Sequence, residues 1–556
     1  MNALLVYPRF PVTYWGFQHT LRLIGKRASL PPLGLLTVAA LLPDHWHLRL
    51  VDLNLQQLSN DDLEWADLVL TGGMLIQVDS MQDTISRARA LGVPVAVGGP
   101  APTTSPELFR DANVVFRGEA EGRIDELARA LAQGSESQLL LEAPPHYPDM
   151  ATVPVPRFDL LDLSAYASLS MQYSRGCPFQ CEFCDIIEIF GRKPRVKAAE
   201  QVIEELEAIR GLGYKGTVFF VDDNFIGNKP AVKRLLPILR DWQGKRGNPL
   251  EFYTEASLDL AADSQLLQGM VDAGFSSVFL GIETPSVEAL AQAKKLQNLR
   301  MAPADAIDRI TREGIEVMGG FIVGFDCDGP EIFAEQREFL GRQPVPLAMA
   351  GILTALPGTA LWRRLKVEGR LRQRSNGDPF SRPNFAPAMN EEVLLRGYGE
   401  LMQWLYSPAE YYRRCEAYLR RSGLVSASRS STLGEVAVFL RAIWYVGILS
   451  QRRYLFWRLL VLALLRGPSK VRQAVVHAVQ GEHLMWYTRE HVVPRIEAAL
   501  ADAHAEVEAS GFALQVLEAT PMEPDSSPLP QRVSQPASAS HPTLSQEQPR
   551  RECDAG

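Results

Sequence analysis

The sequence has too few cysteines for a disulfide scaffold and no apolar run long enough to cross a membrane. Only six cysteines occur among its 556 residues, and small disulfide-built domains are far denser in them. The longest apolar run, 454–465, is interrupted by Arg458 and is shorter than the roughly 20 residues that a spanning helix needs. The first residues lack the basic and apolar regions of a signal peptide. We therefore expect a cytoplasmic protein.

The sequence also lacks an excess of positive charge. Its net charge is −8, whereas proteins that bind nucleic acids usually present a basic face. We therefore expect no nucleic-acid partner. Hydrophobic residues make up 46% and charged residues 22% of the chain, which is typical of globular proteins, and the length allows two to four domains.

Residues 1–135 alternate short apolar strands with helical stretches. Strands that are apolar throughout, separated by helices, predict a parallel sheet covered on both faces. The sequence therefore predicts an α/β, Rossmann-like domain. The predicted strands are 3–7, 48–53, 68–70, 94–97 and 114–116.

Several of these strands end in glycine-rich turns. In an open parallel sheet the loops beyond the carboxyl ends of the strands form the ligand crevice, and glycine lets the backbone approach a large ligand closely. The same glycines would also serve in plain tight turns, and their spacing leaves both interpretations open. The residues concerned are Gly72, Gly73, Gly98, Gly99, Pro100, Gly118 and Glu119.

A second alternating series follows a Pro-rich and acidic stretch, 136–165, which we interpret as a linker. Residues 166–362 contain six predicted strand–helix units, which predict a partial (β/α)6 barrel of the TIM type. Its functional groups should lie at the carboxyl ends of the strands. The predicted strands are 171–174, 217–221, 251–255, 277–281, 316–321 and 348–354.

The rest of the chain shows no strand pattern. Residues 363–515 predict a helical domain, and 516–556, rich in Pro, Ser and Gln, a disordered tail that contains Cys553. Within the helical domain, residues 434–466 mix Arg and Trp with aliphatic side chains. That pattern suits a helix lying on a membrane surface, and it also suits a helix packed in a bundle.

Three cysteines, Cys177, Cys181 and Cys184, fall within eight residues and directly follow a predicted strand. Thiolates are the ligands of iron–sulfur clusters and of zinc. A structural zinc site needs four ligands, and no fourth cysteine or histidine lies nearby in the sequence. Electron-transfer clusters also use four cysteines, so three would leave one iron open for a substrate. A three-cysteine zinc site remains the alternative.

The Cx3Cx2C spacing, with the aromatic Phe183 before the last cysteine, resembles the radical S-adenosylmethionine (SAM) enzymes. The resemblance implies that the three cysteines hold a [4Fe–4S] cluster and that the open iron binds SAM. It further implies that an electron from the cluster cleaves SAM to methionine and a 5′-deoxyadenosyl radical. The electron would come from a donor such as flavodoxin or ferredoxin.

The same resemblance implies SAM-binding positions at the ends of the later strands. Two aspartates stand where the family often has Gly-Gly-Glu, and Cys327 stands where an acid is expected after the fifth strand. Each acid alone would more often be a solvated strand end. The implied positions are Asp222, Asp223, Glu255, Glu283, Gly320, Ile322, Gly324 and Pro357.

A Rossmann-like domain ahead of such a barrel resembles the cobalamin-binding branch of the superfamily. Comparable stretches are 31–35, 98–100 and 118–121. The Asp-x-His-x-x-Gly motif that supplies an axial histidine in many cobalamin proteins is absent, since 44–47 has the wrong spacing. The resemblance implies cobalamin as a third cofactor, and a purely structural Rossmann-like domain is the alternative.

The stretches 71–77 and 219–229, together with the helical C-terminal region, resemble the hopanoid 2-methylase group. This resemblance implies methylation of an unactivated carbon of a small molecule or lipid such as a hopanoid, with peripheral contact at the inner face of the membrane. Two other functions stay open. One is a cobalamin-dependent radical cyclisation or rearrangement, and the other is a non-catalytic cobalamin-responsive protein.

Overall fold

The computed structural model describes residues 1–132, 138–423 and 433–519. Residues 1–503 form one unit. Residues 520–556, which make up most of the predicted tail and include Cys553, lie outside the described part. Residues 516–519 belong to the last helix, so the helical region extends beyond its predicted end.

The first sheet has six parallel strands in the order β2-β1-β3-β4-β5-β6. The five predicted strands are present. The sixth, β6, lies inside the predicted linker, because three leucines there pair with β5 and extend the sheet. The strands are β1 Asn2–Tyr7, β2 His47–Asp52, β3 Leu68–Gly72, β4 Val95–Gly98, β5 Val114–Phe116 and β6 Leu139–Leu141; the helices are α1 Leu33–Leu41, α2 Asn60–Trp65, α3 Val78–Ala90, α4 Pro100–Thr104 and α5 Ile124–Ala132.

Apolar side chains cover both faces of this sheet, as the continuous apolar strands predict. One face packs against a cluster that contains Leu4, Val6 and Ile85, and the other against a cluster that contains Leu5 and Leu35. Strands β1 and β3 are neighbours, but the helices that follow them, α1 and α3, lie on opposite faces of the sheet. Their carboxyl ends therefore border a crevice, as in other doubly wound sheets.

The second sheet is a parallel six-stranded partial barrel in the order β7-β10-β11-β12-β13-β14, as predicted. A small antiparallel pair, β8 and β9, flanks the cysteines. The strands are β7 Ser168–Met171, β8 Ser174–Arg175, β9 Arg195–Val196, β10 Thr217–Phe220, β11 Glu251–Ala256, β12 Phe275–Glu283, β13 Glu316–Val323 and β14 Ala348–Ile352; the helices are α6 Ile186–Ile189, α7 Ala199–Gly211, α8 Lys229–Gly244, α9 Ser264–Ala273, α10 Val287–Gln292, α11 Pro303–Arg312, α12 Ile332–Arg342 and α13 Ala360–Val367.

The chain between β1 and α1 lies along the open side of this barrel, between β14 and β7. On one side the amides of Ala167 and Ser168 donate to the carbonyls of Ala28 and Ser29, at 2.9 and 3.0 Å. On the other side the Trp15 indole donates to the Met349 sulfur at 3.1 Å. We call residues 13–29 the closing segment. The first domain thus contributes a wall to the barrel.

The C-terminal region is helical, as predicted, and packs on the barrel. Tyr398 and Tyr406 donate from their hydroxyls to the carbonyls of Ala350 and Ala348 in β14. No helix among the described residues is long and apolar enough to span a membrane. The helices are α14 Glu391–Leu405, α15 Pro408–Arg421, α16 Leu433–Ala442, α17 Arg453–Arg466, α18 Pro468–Tyr487 and α19 Val493–Ala519, with π-helical turns at Ile443–Leu449 and Thr488–Val492.

Candidate functional site

The three cysteines lie on one loop between β8 and α6, at the carboxyl end of the barrel. Gly176 precedes them with φ of 93°, and a Cβ there would lie 2.8 Å from the Gly191 carbonyl oxygen. That carbonyl accepts the Cys177 amide at 3.2 Å, and the Cys184 amide donates to the Cys181 carbonyl at 3.2 Å. The glycine therefore allows the loop to fold back tightly, with its backbone held by local hydrogen bonds.

Two amide side chains donate toward the thiols. Asn224, just after β10, approaches the Cys177 sulfur at 3.9 Å, and Gln297 approaches the buried Cys181 sulfur at 3.5 Å. Burial raises the pKa of Cys177 and of Cys184. Thiolates in such a place need donors or cations nearby, and the two amides supply donors.

The described residues contain no group of three Cys, His, Asp or Glu side chains placed to share one metal ion. The three-cysteine zinc alternative needs ligands that converge on a single ion. A cubane makes no such demand, because each thiolate binds a different iron. The two alternatives therefore differ in the geometry that they require of the three thiols.

A buried ion pair stands beside the cysteine loop. Glu283, the last residue of β12, accepts from the Lys295 ammonium at 2.5 Å, and Lys295 lies over the Phe183 ring at 5.8 Å. Burial acts to lower the pKa of Lys295, but Glu283 outweighs it and holds that pKa above its usual value. A Cβ on Gly281 would lie 2.7 Å from the Lys295 nitrogen, so the missing side chain makes room for the pair.

The two aspartates after β10 differ in their surroundings. The Asp222 carboxylate accepts the backbone amides of Tyr173, at 3.1 Å, and Ser174. Both carboxylate oxygens of Asp222 therefore accept hydrogen bonds from the backbone segment that leads into the cysteine loop. Burial raises its pKa to about 6. In Asp223 one buried oxygen, Oδ2, has no hydrogen-bond partner among the described residues.

Asp223 faces a second acid, Glu255, near the end of β11. Burial, and next the charge of Glu255, hold the pKa of Asp223 well above its usual value. Burial, and next Asp222, raise the pKa of Glu255 to about 7. Three acids so close together and so poorly solvated resist ionising, and a ligand cation beside them would stabilise their charged forms.

The ends of β13 and β14 give an apolar surface near Phe183. Ile322 packs in a cluster with Phe183 and Phe325. A Cβ on Gly320 would lie 2.7 Å from the Phe279 ring. Gly324 has φ of 96°, and Pro357 is buried just before α13.

The acid that the sequence pattern lacks at Cys327 is found one residue later. The Asp328 carboxylate accepts the amides of Gly324 and Phe325 at 2.8 and 3.0 Å, and its pKa is raised to about 6, first by burial. Asp328 therefore stabilises the turn after β13 from inside.

The predicted glycines of the first domain line one crevice. Its volume is about 420 Å³, and it is bounded by the carboxyl ends of β3, β4 and β5 and by Arg175 of β8 and Ile189 of α6, which lie on either side of the cysteine loop. A Cβ on Gly72 would lie 2.7 Å from the Gly98 carbonyl oxygen, and Gly99 has φ of 94°. The residues that line it include Gly72, Gly73, Gly98, Gly99, Pro100, Gly118, Glu119, Arg175 and Val221.

Glu119 lies at the edge of this crevice, with its carboxylate engaged by two arginines. Arg175 and Arg195, from β8 and β9, each reach it at 2.5 Å. Arg175 also pairs with Glu121 at 2.8 Å. Burial acts to raise the pKa of Glu121, but Arg175 outweighs it, so that pKa lies below its usual value. These pairs join the first domain to the strand that carries the cysteine loop.

Three family models match the chain in order. They are the B12 binding domain at residues 26–128, the radical SAM superfamily at 171–339, and a domain of unknown function, DUF4070, at 359–497. An uncharacterized methyltransferase of Synechocystis sp. is 40% identical, over 90% of this chain and 94% of the relative. The hopanoid C-2 methylase of Rhodopseudomonas palustris is 36% identical, over 88% of this chain and 94% of the relative.

The chain belongs to the cobalamin-binding radical SAM methyltransferases. The predicted resemblance, fold class and enzyme class are thereby confirmed. Two solved structures share the fold. The radical SAM methyltransferase TsrM from Kitasatospora setae is 17% identical with a TM-score of 0.55, covering 82% of this chain and 97% of that one. The cobalamin-dependent radical enzyme OxsB is 15% identical with a TM-score of 0.56, covering 91% and 84%.

The described residues fit the three cofactors of this family. Three thiols on one loop, two of them facing amide donors, fit a cluster. The unpartnered Oδ2 of Asp223 fits the cationic groups of SAM. The crevice fits part of a large ring cofactor, because its glycines have no side chains and so let the backbone lie close to a ligand.

Four polar residues at the site were not predicted. Asn224, Arg175, Lys295 and Gln297 act through contacts between segments far apart in sequence. Lys295 and Gln297 follow the short helix α10, where no spacing pattern marks them. The only available signal was at Asn224, which directly follows the predicted pair of aspartates.

Proposed function

We propose that this protein transfers a methyl group to an unactivated carbon of a lipid of the hopanoid type. The similarity to the Rhodopseudomonas palustris hopanoid C-2 methylase, which runs through all three regions of the chain, carries the proposal. A lipid substrate is also supported by the Methylococcus capsulatus hopanoid C-3 methylase. It is 28% identical to this protein over 45% of this chain.

In this proposal Cys177, Cys181 and Cys184 bind a [4Fe–4S] cluster, and the first-domain crevice binds cobalamin. When bound, the cluster supplies the electron that cleaves SAM, and cobalamin carries the methyl group. Asn224 and Gln297 donate to the thiolates and so hold them in place. Such supporting contacts commonly orient the ligands of a metal centre.

SAM binds in this proposal between the acids of β10 and β11 and the apolar ends of β13 and β14. Asp223 and Glu255 attract its positive charge, and Lys295 with Glu283 forms the opposite wall. Gly320, Ile322, Gly324 and Pro357 leave a flat apolar surface that suits a purine ring. Asp222 acts indirectly, because its carboxylate fixes the backbone before the cysteine loop.

Next to the acids at the strand ends, the inner face of the barrel carries aromatic side chains, which suit a polycyclic lipid and keep water from a radical. Phe219 and Tyr253, in register on β10 and β11, stack with centroids 4.6 Å apart. Phe279 on β12 meets Trp15 of the closing segment edge to face at 5.5 Å. Trp15 in turn contacts Met349 on β14. The closing segment therefore completes this apolar wall.

The affinity for SAM is expected to fall as the pH falls through about 7. The Glu255 carboxylate attracts the SAM cation only when it is ionised, and burial raises its pKa to about 7. Going from about pH 8 to about pH 6 should therefore weaken SAM binding by up to about tenfold. Calorimetric titration of the anaerobic, cluster-loaded protein measures this. Glu255→Gln should bind weakly and change less over this range, since Asp223, whose pKa is also raised, remains beside SAM. A flat wild-type profile would remove Glu255 from the SAM site.

Trp15→Ala is expected to uncouple SAM cleavage from methylation. The truncation opens the wall between Phe279 and Met349, so the substrate is held loosely and water enters. Methylated product should fall roughly 10- to 100-fold, while 5′-deoxyadenosine continues to form. The ratio of the two products by mass spectrometry is the measurement. Trp15→Phe, which keeps a ring, should retain most coupling; equal coupling in all three proteins contradicts the proposed wall.

The direct test of the function is the lipid profile of the host with and without the gene. Loss of lipids heavier by one CH₂ is expected when the gene is deleted. With the lipid in hand, the reduced, cofactor-loaded protein should form S-adenosylhomocysteine together with 5′-deoxyadenosine. Formation of 5′-deoxyadenosine alone would favour a cyclisation or rearrangement instead. We propose flavodoxin or ferredoxin as the reductant and the cytoplasm as the location.

A further inference from the structure

Helix α17 carries large apolar side chains on its exposed side, next to Arg458, as well as on its buried side. Its inner side chains pack into the helical region. An apolar side of a helix is normally covered by protein or by lipid. Among the described residues, no part of the protein covers the outer side of α17. Inner residues are Leu455, Phe456, Leu459, Leu460 and Ala463; outer residues, with their exposed fractions, are Tyr454 65%, Trp457 42%, Val461 54%, Leu464 62% and Leu465 80%.

The preceding helix and π-helical turn repeat the pattern. Ala442 and Val446 pack into one cluster with Phe456 and Leu460 of α17 and with Val475 of α18, so the outer sides of both elements face away from that cluster. Together with the outer residues of α17, these side chains form what we call the α16–α17 face. They are Val436 49%, Leu440 60%, Trp444 54%, Tyr445 50%, Ile448 45% and Leu449 57% exposed.

The charges around this face are mostly positive. Between 433 and 466 the sequence has five arginines and one acid, Glu435. Two of the arginines form ion pairs, Arg452 with Glu482 and Arg458 with Glu416. Trp, Tyr and Arg beside aliphatic side chains are the composition of helices that lie in the headgroup region of a membrane. A non-obligate protein interface is on average only about as apolar as the rest of a protein surface.

We propose that the α16–α17 face docks on a bilayer that contains anionic lipids. Its aliphatic and aromatic side chains enter the headgroup region, and Arg441, Arg453 and Arg466 meet lipid phosphates. Docking itself does not depend on the identity of the substrate. If the proposed lipid substrate is correct, docking also places the barrel beside the membrane that contains this lipid.

The closing segment connects this face to the inside of the barrel. Leu23 and Ile24 pack against the cluster beneath α16, and Trp15, eight residues earlier in the same segment, contacts Phe279 and Met349. The segment therefore borders both the docked face and the apolar wall of the barrel. On the proposed function, this places the entry of a lipid beside the closing segment.

Vesicle co-sedimentation of the full-length, cofactor-loaded protein tests the docking. We expect binding to phosphatidylcholine vesicles that contain phosphatidylglycerol, weaker binding to phosphatidylcholine alone, and weakening by salt. Leu464→Asp with Leu465→Asp should lower the bound fraction at least about tenfold, because both side chains lie outside the core. Arg453→Gln with Arg466→Gln should remove the preference for phosphatidylglycerol.

Leu91→Asp with Val367→Asp is the matched control, since these residues are 42% and 89% exposed and lie outside the face. The control should bind vesicles like the wild type. Absence of vesicle binding by the wild type, or an equal loss in the control, would overturn the proposal. So would a wild-type dimer that the Leu464/Leu465 variant converts to monomers, since a second copy would then cover the face. Failure of the methylation assay with docking intact would reject only the proposed function.

Discussion

Replacing Cys181 with alanine is expected to abolish both the iron–sulfur absorbance of the protein and all cleavage of SAM. The Cys181 sulfur is buried in the middle of the cysteine loop and faces the Gln297 amide. No other described thiol can replace it, because Cys327 and Cys415 lie on other elements. Two remaining thiolates hold a cubane poorly, since each iron needs its own ligand.

The measurements are iron content, absorbance in the charge-transfer bands, and formation of 5′-deoxyadenosine under reducing conditions. Cys327→Ala is the control, because this half-buried thiol lies outside the loop and its loss should leave all three unchanged. If Cys181→Ala kept either the cluster bands or SAM cleavage, the three-cysteine site would be wrong. If Cys327→Ala lost the cluster, the ligand set would include a residue outside the loop.

The order of elements was predictable because both sheets are parallel and buried. Apolar strands such as β3 and β5 can be read from their composition alone. Strand β6 was missed because three leucines in a Pro-rich stretch resemble a linker, and only pairing with β5 makes them a strand. The closing segment was missed for the same reason: its contacts with β7 and β14 join residues more than 100 positions apart.

The residues of the site likewise divide into those that a local sequence pattern predicts and those that only the folded structure brings together. The cysteine loop follows from a local spacing, and the glycines of β3 and β4 follow from their place at strand ends. Lys295 was not predictable, because its pairing with Glu283 depends on how the chain turns at the end of β12. Glu283 has a positive φ of 66° at that turn. The role of Asp328 was not predicted either, because its carboxylate reaches back to backbone amides that sequence spacing does not reveal.

Arg175→Met is expected to destabilise the junction between the first domain and the barrel. Arg175 is buried, and its guanidinium pairs with Glu119 and Glu121, both also buried. Its removal leaves the buried Glu121 carboxylate without a counter-charge, which typically costs about 3–5 kcal/mol. Since these residues line the crevice, the variant should also lose cobalamin on gel filtration. Thermal unfolding and retained cobalamin are the two measurements.

A compensated variant separates charge from packing. Arg175→Met with Glu121→Gln removes the unpaired charge at Glu121, while Glu119 keeps its pair with Arg195. This double variant should recover most of the lost stability, because breaking one partner of a buried pair costs more than removing both. Arg89→Met breaks the exposed pair with Asp111 and should change stability by less than about 1 kcal/mol. If Arg175→Met behaved like Arg89→Met, the buried pairs of Arg175 with Glu119 and Glu121 would not be what stabilises the junction between the two domains.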